Sequence, residues 1–109
     1  MIIDCHTHIC PDKIARLVGE TAAGRFGKLY GSMTISGLVS SMDACGIDIS
    51  IAFNLAERPD LVKAANNFMI GLTENERIIP FGTIHPDFED YRKELDRLNQ
   101  MPEFKEGEE

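Results

Sequence analysis

The chain contains no apolar run that approaches the roughly 18 residues of a membrane-spanning helix, so no membrane segment is expected. Asp4 and two histidines interrupt the apolar start, which argues against a signal peptide. Basic residues are also few: 11 Lys and Arg stand against 18 Asp and Glu, and the formal net charge is -7. Because nucleic-acid binding requires clustered Lys and Arg, a nucleic-acid partner is not expected either.

A cysteine framework is lacking as well. The three cysteines are an odd number and include neither a Cys-x-x-Cys pair nor a regular framework spacing. This usage favours reduced thiols and a cytoplasmic location. Internal repeats are absent, and 109 residues are enough for one modest core. We predict one domain over residues 1–101 and a charged tail without periodicity over residues 102–109.

The first feature that points to chemistry is a His-x-His pair, which ends the run IIDCHTH at residues 2–8. Side chains two residues apart on a strand project from the same face, so His6 and His8 should project together, with Asp4 on their side. Two neutral imidazoles side by side at a strand end form half of a metal site. Taken alone, the pattern also suits two polar residues where a strand meets solvent.

Hydrophobic periodicity predicts an alternation of strands and helices along the rest of the chain. Strands separated by helices at this spacing indicate an α/β fold, in which parallel strands are joined by right-handed crossovers. The predicted order is strand 2–8, a helix from residue 11, helix 35–45, strand 47–55, a helix from residue 58, strand 78–85 and a helix from residue 86.

The ends of the second helix are well marked, since Thr34 or Ser36 can cap its start and Gly46 is a natural stop. On the last helix, the spacing of Leu95 and Leu98 places both on the side that is expected to be apolar.

Polar residues fall at all three predicted strand ends. Active groups of parallel α/β sheets lie at the carboxyl ends of the strands, where His6 and His8, Asn54, and His85 are all found. We therefore predict Asn54 and His85 as substrate-binding residues. Asn54 is equally typical of a strand-end turn, and His85 of a helix entry before Pro86.

The opening run IIDCHTH resembles the first strand of the metal-dependent amidohydrolase superfamily, in the amidohydrolase-related branch that includes aminocarboxymuconate semialdehyde decarboxylase. Residues 41–48, SMDACGID, and residues 78–87, IIPFGTIHPD, are similar to the second and third β/α units of that branch in order and spacing. The likeness extends from residue 1 to about residue 105, which is nearly the whole chain.

The resemblance implies a partial (β/α)8 TIM barrel, of which this chain supplies the first three β/α units. It implies that His6 and His8 are ligands of a divalent metal, usually zinc, and that a small-molecule substrate is hydrolysed or decarboxylated. Asp4 would then orient a ligand histidine from behind, or be a buried acid near the strand start. The family's further ligands, a histidine of the fifth strand and an aspartate of the eighth, have no counterpart in this sequence.

A closed barrel needs ~250 residues, and three strands leave two open sheet edges that invite pairing with a second copy or a companion chain. The expected function is that of an N-terminal segment of an amidohydrolase-type hydrolase or decarboxylase whose metal site is incomplete in this chain. The alternative is a non-catalytic fragment or an oligomeric interaction module.

Two other interpretations of residues 2–11 are disfavoured. A zinc site of the Cys-His-His-Cys type would need Cys5 on the face of the histidines, whereas alternation places it on the other face. A flavodoxin-like binding protein would need a glycine-rich phosphate loop after the first strand, and residues 8–11, HICP, do not form one.

Overall fold

The computed structural model describes residues 1–17 and 32–100, which form a three-stranded parallel sheet and its connecting helices. The predicted charged tail lies outside the described residues. None of the helices in the two described ranges has the length and apolarity to cross a membrane. The strands are β1 (Ile3–His8), β2 (Ile49–Phe53) and β3 (Ile78–Phe81); the helices are α1 (residues 12–17), α2 (Ile35–Cys45), α3 (Val62–Ile70) and α4 (Tyr91–Asn99), with a 3-10 turn at Pro59–Leu61.

The strands lie side by side in chain order, β1-β2-β3, and both pairs are parallel. This confirms the predicted small α/β architecture with parallel strands. His8 lies opposite Phe53, and Phe53 lies opposite Phe81, so the carboxyl ends of the three strands meet at one edge. The pairing of β1 with β2 is interrupted by an irregularity between Asp4 and Thr7.

Helix α2 begins and ends at residues that satisfy its terminal backbone groups. The Thr34 hydroxyl accepts a 2.9 Å hydrogen bond from the Gly37 N–H, which makes Thr34, rather than Ser36, the N-cap. Gly46 has φ 70° and ψ 30°, a left-handed conformation, and its N–H donates to the Met42 carbonyl. The predicted start and stop of this helix are thereby confirmed.

The helices cover one face of the sheet, and on β2 that face consists of small side chains. Ser50, Ala52 and Asn54 are buried there, because short side chains let the helices approach the sheet closely. The buried core cluster comprises Ile9, Ala52, Met69, Leu72 and Ile78, with Ile35, Leu38, Val39 and Phe68 packed against it.

The opposite face of the sheet carries the large side chains and is only half-buried. We call this the open face; its members on β2 and β3 are Ile49, Ile51, Phe53, Ile79 and Phe81. Phe81 keeps 38% of its surface exposed, and Ile3 at the other edge keeps 52%. Parallel sheets are normally covered on both faces, whereas the described residues leave the open face only half-buried.

Helix α4 differs from its predicted pattern. Leu98 is buried as expected, but Leu95 is 48% exposed, and the charged Glu94 is buried in its place. The burial of Glu94 is possible because Arg97 and Asn66 both donate hydrogen bonds to its carboxylate.

Candidate functional site

The imidazoles of His6 and His8 converge at the carboxyl end of β1. Their Nε2 atoms are 3.1 Å apart, and the ring centroids are separated by 4.9 Å in an edge-on arrangement. The irregularity in β1 lies between Asp4 and Thr7, a span that includes His6. The rings of His6 and His8 nevertheless remain adjacent, and both lie next to the ring of Phe53.

Aromatic rings form the floor beside the two imidazoles. The Phe53 ring centroid lies 4.9 Å from that of His6 and 6.3 Å from that of His8. On its other side it lies 5.3 Å from the ring of Phe81. Phe53 therefore continues the apolar open face up to the histidine pair and keeps water from one side of it.

The surroundings favour the uncharged form of His8. Partial burial lowers the pKa of His8 below its ordinary value of 6.5, and the neighbouring His6 lowers the pKa further because two imidazolium charges would repel. A neutral imidazole is the form that binds a metal ion, so near pH 7 His8 is ready to act as a ligand.

The separation of the two Nε2 atoms is close to the distance between two nitrogen ligands of one metal ion. Two nitrogens at about 2.0–2.1 Å from a tetrahedral zinc ion lie about 3.3–3.4 Å apart, and the observed 3.1 Å is close to that value. The same distance also suits a hydrogen bond between the rings if one Nε2 carries the proton. The pair therefore fits as two ligands of a divalent metal, and equally as a hydrogen-bonded pair without one.

A third ligand is not found nearby. Within residues 1–17 and 32–100, no group of three or more His, Cys, Asp or Glu side chains is arranged to hold a metal ion. Cys5 is exposed and Cys10 is buried in the described part of the chain, and neither joins the two histidines in such a group. A metal at this pair would need its remaining ligands from elsewhere.

Asp4 contacts the histidine pair through the backbone. Its Oδ1 accepts a 3.2 Å hydrogen bond from the His6 N–H. This contact ties the Asp4 side chain to the backbone within the irregular part of β1. Asp4 pairs with Ser50 of the helix-covered face, whereas His8 pairs with Phe53 of the open face, so the register does not place Asp4 on the side of His8; the irregularity between Asp4 and Thr7 breaks the simple alternation. Orientation of a ligand imidazole by the Asp4 carboxylate stays a prediction.

Next to the pair, at the carboxyl ends of β1 and β2, lies a cavity of about 200 Å³. His8 and Phe53 belong to its wall, and so does Asn54, whose Nδ2 donates a 3.4 Å hydrogen bond to the Ala65 carbonyl. His8 and the predicted Asn54 thus line the same cavity, whereas His6 contacts His8 without lining it. Apolar side chains make up most of the remaining wall, among them Ile9, Ile14, Met33, Leu55, Leu61 and Ala65.

His85 is not among the residues that line this cavity. It follows β3 by four residues, and its Nδ1 accepts a 3.1 Å hydrogen bond from the Asp87 N–H. That bond stabilises the turn at Pro86. The third strand ends at Phe81 rather than at His85, and the last helix begins at Tyr91 rather than at residue 86, so His85 lies in the connecting segment and not at a helix entry. A contact between His85 and a substrate stays a prediction.

The sequence analysis missed several residues of the cavity, notably Cys10, Leu61 and Ala65. Burial raises the pKa of the Cys10 thiol, and the nearby Asp12 raises it further, so Cys10 is an uncharged wall residue rather than a nucleophile. The position of Cys10 directly after β1 was an available signal, because loops after parallel strands form ligand sites. Leu61 and Ala65 gave no such signal, since they resemble ordinary core residues of a helix.

No protein family, curated protein or solved structure matches this chain in comparisons with known proteins. The family resemblance, the metal and the substrate class therefore stay predictions from the sequence.

Proposed function

We propose that the chain is the N-terminal part of a metal-dependent amidohydrolase-type hydrolase or decarboxylase, with His6 and His8 as two of the metal ligands. The observation that carries this proposal is the 3.1 Å approach of their Nε2 atoms at the carboxyl end of the first strand. Metal ligands of barrel enzymes are expected at that end of the strands.

The order of the strands supports a partial (β/α)8 barrel. Barrels add each β/α unit beside the previous one, whereas doubly wound sheets reverse the strand order at a switch point. The order β1-β2-β3 follows the first pattern over the three strands. The open face supports it too, since the inward side chains of a barrel pack against those of the other strands, and Ile51 and Ile79 are suited to that role.

The chain's own residues would bind and orient the ion. His6 and His8 would present Nε2 lone pairs, with their ring protons on Nδ1, and Phe53 would shield one side of the pair from water. A divalent ion bound there supplies Lewis acidity, which lowers the pKa of bound water toward ~7 or polarises a substrate carboxylate or carbonyl. Hydrolysis and decarboxylation both use this chemistry.

Zinc titration of the purified 109-residue chain tests the proposal. After dialysis against EDTA and removal of the chelator, zinc is added in competition with a colorimetric chelator. We expect saturable uptake that is lost in His6→Ala and in His8→Ala, because either change leaves a single imidazole. His85→Ala is the matched control and should take up zinc like the parent. Equal uptake by all four proteins would refute the site.

The open face favours a second candidate function, an oligomeric interaction module. Its large apolar residues, with free edges at β1 and β3 of the described sheet, are typical of a surface that pairs with another chain. Light scattering in EDTA tests this: Ile79→Lys, on the open face, should reduce self-association. Leu95→Lys, at an exposed position on α4, should not. A monomer at all concentrations for the parent chain would exclude the module.

A further inference from the structure

The cavity beside His8 has a composition that selects its ligand. We propose that it binds an uncharged hydrocarbon group of the substrate, aliphatic or aromatic, while the reacting polar group of the same molecule lies at His6 and His8. The first half of the proposal, the binding of the hydrocarbon group, depends on the cavity alone. The second half, the placement of the polar group at His6 and His8, rests on the proposed function.

The size of the cavity limits the bound group. An apolar cavity of about 150 Å³ is enough to hold a benzene molecule. The volume of about 200 Å³ therefore accommodates a six-membered ring with a small substituent, or a branched chain of similar bulk. A longer hydrocarbon chain would extend beyond the cavity.

The wall of the cavity determines the polarity of the group. Ile9, Ile14, Leu55 and Leu61 supply apolar surface, and no Lys or Arg occurs among the described residues that line it. Glu57 is the acidic residue of that lining, so a carboxylate inside the cavity would meet repulsion without a cation to offset it. An uncharged hydrocarbon is the group that such a wall stabilises, through burial of its surface.

Two side chains connect the cavity to the histidine pair. His8 belongs to the cavity wall and lies 3.1 Å from His6, so a group bound in the cavity has an imidazole within reach. Phe53 belongs to the wall as well and packs against His6. A substrate whose hydrocarbon part fills the cavity would thus be held with its polar end toward the two Nε2 atoms.

Toluene is a probe for the first half of the proposal. It is titrated into the ¹⁵N-labelled full chain in EDTA, and amide shifts are followed by NMR. We expect saturable shifts centred on Ile9, Leu55 and Ala65, which surround the cavity. Shifts that do not saturate, or that centre on Ile51 and Ile79 of the open face, would overturn the proposal.

Ala64→Phe fills the cavity from α3, because Ala64 lines it and is otherwise exposed. We expect toluene affinity to fall about tenfold or more, since the ring can no longer be buried. Lys63→Phe adds the same bulk at the neighbouring exposed position, which is not part of the cavity, and should bind toluene like the parent. Ala64→Leu, a smaller change, should give an intermediate loss. Equal affinity in all four proteins would reject this site.

A separate experiment tests the second half of the proposal, that the polar group of the substrate lies at His6 and His8. In the zinc-loaded chain, phenylacetohydroxamate carries a ring and a metal-binding head, whereas acetohydroxamate carries the head alone. We expect the ring to improve binding about tenfold in the parent and not in Ala64→Phe. His6→Ala should lose both hydroxamates but keep toluene, because His6 does not line the cavity. Toluene binding together with zinc uptake that is unchanged in His6→Ala would therefore refute the proposed function alone. Zinc uptake that is lost in His6→Ala without any toluene binding would refute the cavity alone.

Discussion

Asn66 donates a 2.8 Å hydrogen bond from Nδ2 to Oε2 of Glu94, and both side chains are almost completely buried. The same amide donates to the Thr83 carbonyl at 3.0 Å and accepts from the Thr83 N–H at 2.7 Å. Arg97 completes the network with two hydrogen bonds to the Glu94 carboxylate, of 2.7 and 2.8 Å. This network joins α3, the segment after β3, and α4.

Replacing Asn66 with alanine should lower the free energy of unfolding by about 3 kcal/mol, because it leaves buried backbone and carboxylate groups without partners. Urea unfolding followed by circular dichroism measures the loss. Asn67→Ala is the control, since Asn67 is exposed and loses one hydrogen bond from Arg97. Its cost should stay below about 1 kcal/mol. Similar costs for the two variants would show that the network does not stabilise the fold.

Glu94 should make the stability depend on pH in the acidic range. Hydrogen bonds from Arg97 lower the pKa of Glu94 below its ordinary value of 4.5, with a further lowering from Asn66, and these effects outweigh the opposing effect of burial. The unfolded state then binds the proton more readily than the folded state. The contribution of Glu94 is therefore complete above its unfolded pKa and is lost as the pH falls through the lower folded pKa.

The measurement is the difference in unfolding free energy between the parent and Glu94→Gln, taken from neutral pH downward. The difference should be constant above about pH 5 and shrink below it, because protonated Glu94 and Gln both lack the charge that Arg97 binds. A difference that grows as the pH falls would have the wrong sign and would contradict the lowered pKa.

Thr34→Ala should lower the free energy of unfolding by about 1 kcal/mol, the usual cost of losing an N-cap. The Gly37 N–H donates a hydrogen bond to the Thr34 hydroxyl, and in the variant this N–H would lose its acceptor. Ser36→Ala is a matched control within the first turn of α2, and its effect should be close to zero. Thermal unfolding of both variants measures the two changes in stability. A larger loss of stability in Ser36→Ala than in Thr34→Ala would identify Ser36 as the N-cap instead.

Gly46→Ala should lower the free energy of unfolding by about 1 kcal/mol for a purely conformational reason. Gly46 has φ +70°, and an added Cβ would meet no atom within 4 Å, so crowding does not contribute. Gly46→Asn should cost less, because asparagine tolerates the left-handed region better than alanine. Chemical unfolding of the two variants gives the comparison, and an alanine variant as stable as the parent would disprove this explanation.

Local signals in the sequence were sufficient for the order of strands and helices and for the proximity of the two histidines. They were not sufficient for every end: the third strand ends at Phe81 rather than His85, and the last helix begins at Tyr91 rather than at residue 86. The order of strands and helices, the cap at Thr34 and the stop at Gly46 follow from spacing and from the chemistry of single residues. The convergence of His6 and His8 follows from their separation by two positions on a strand. These features depend on neighbours in the chain, which a sequence displays directly.

Helix α4 shows where such signals are insufficient. Its spacing placed Leu95 on the apolar side, yet Glu94 is the residue that is buried, because Asn66 of a different helix supplies a hydrogen bond to it. A buried charge requires a partner from another element, and the identity of that partner is not visible in local periodicity.

The sequence by itself determined an α/β chain of parallel strands and a pair of imidazoles at the end of the first one. The tertiary structure decided that the small residues of β2 face the helices, that its large residues remain on the open face, and that Asn54 and His8 share a cavity whereas His85 does not line it. The physical reason is that side-chain direction is set by backbone geometry over two or three residues, whereas burial is set by distant segments that pack together.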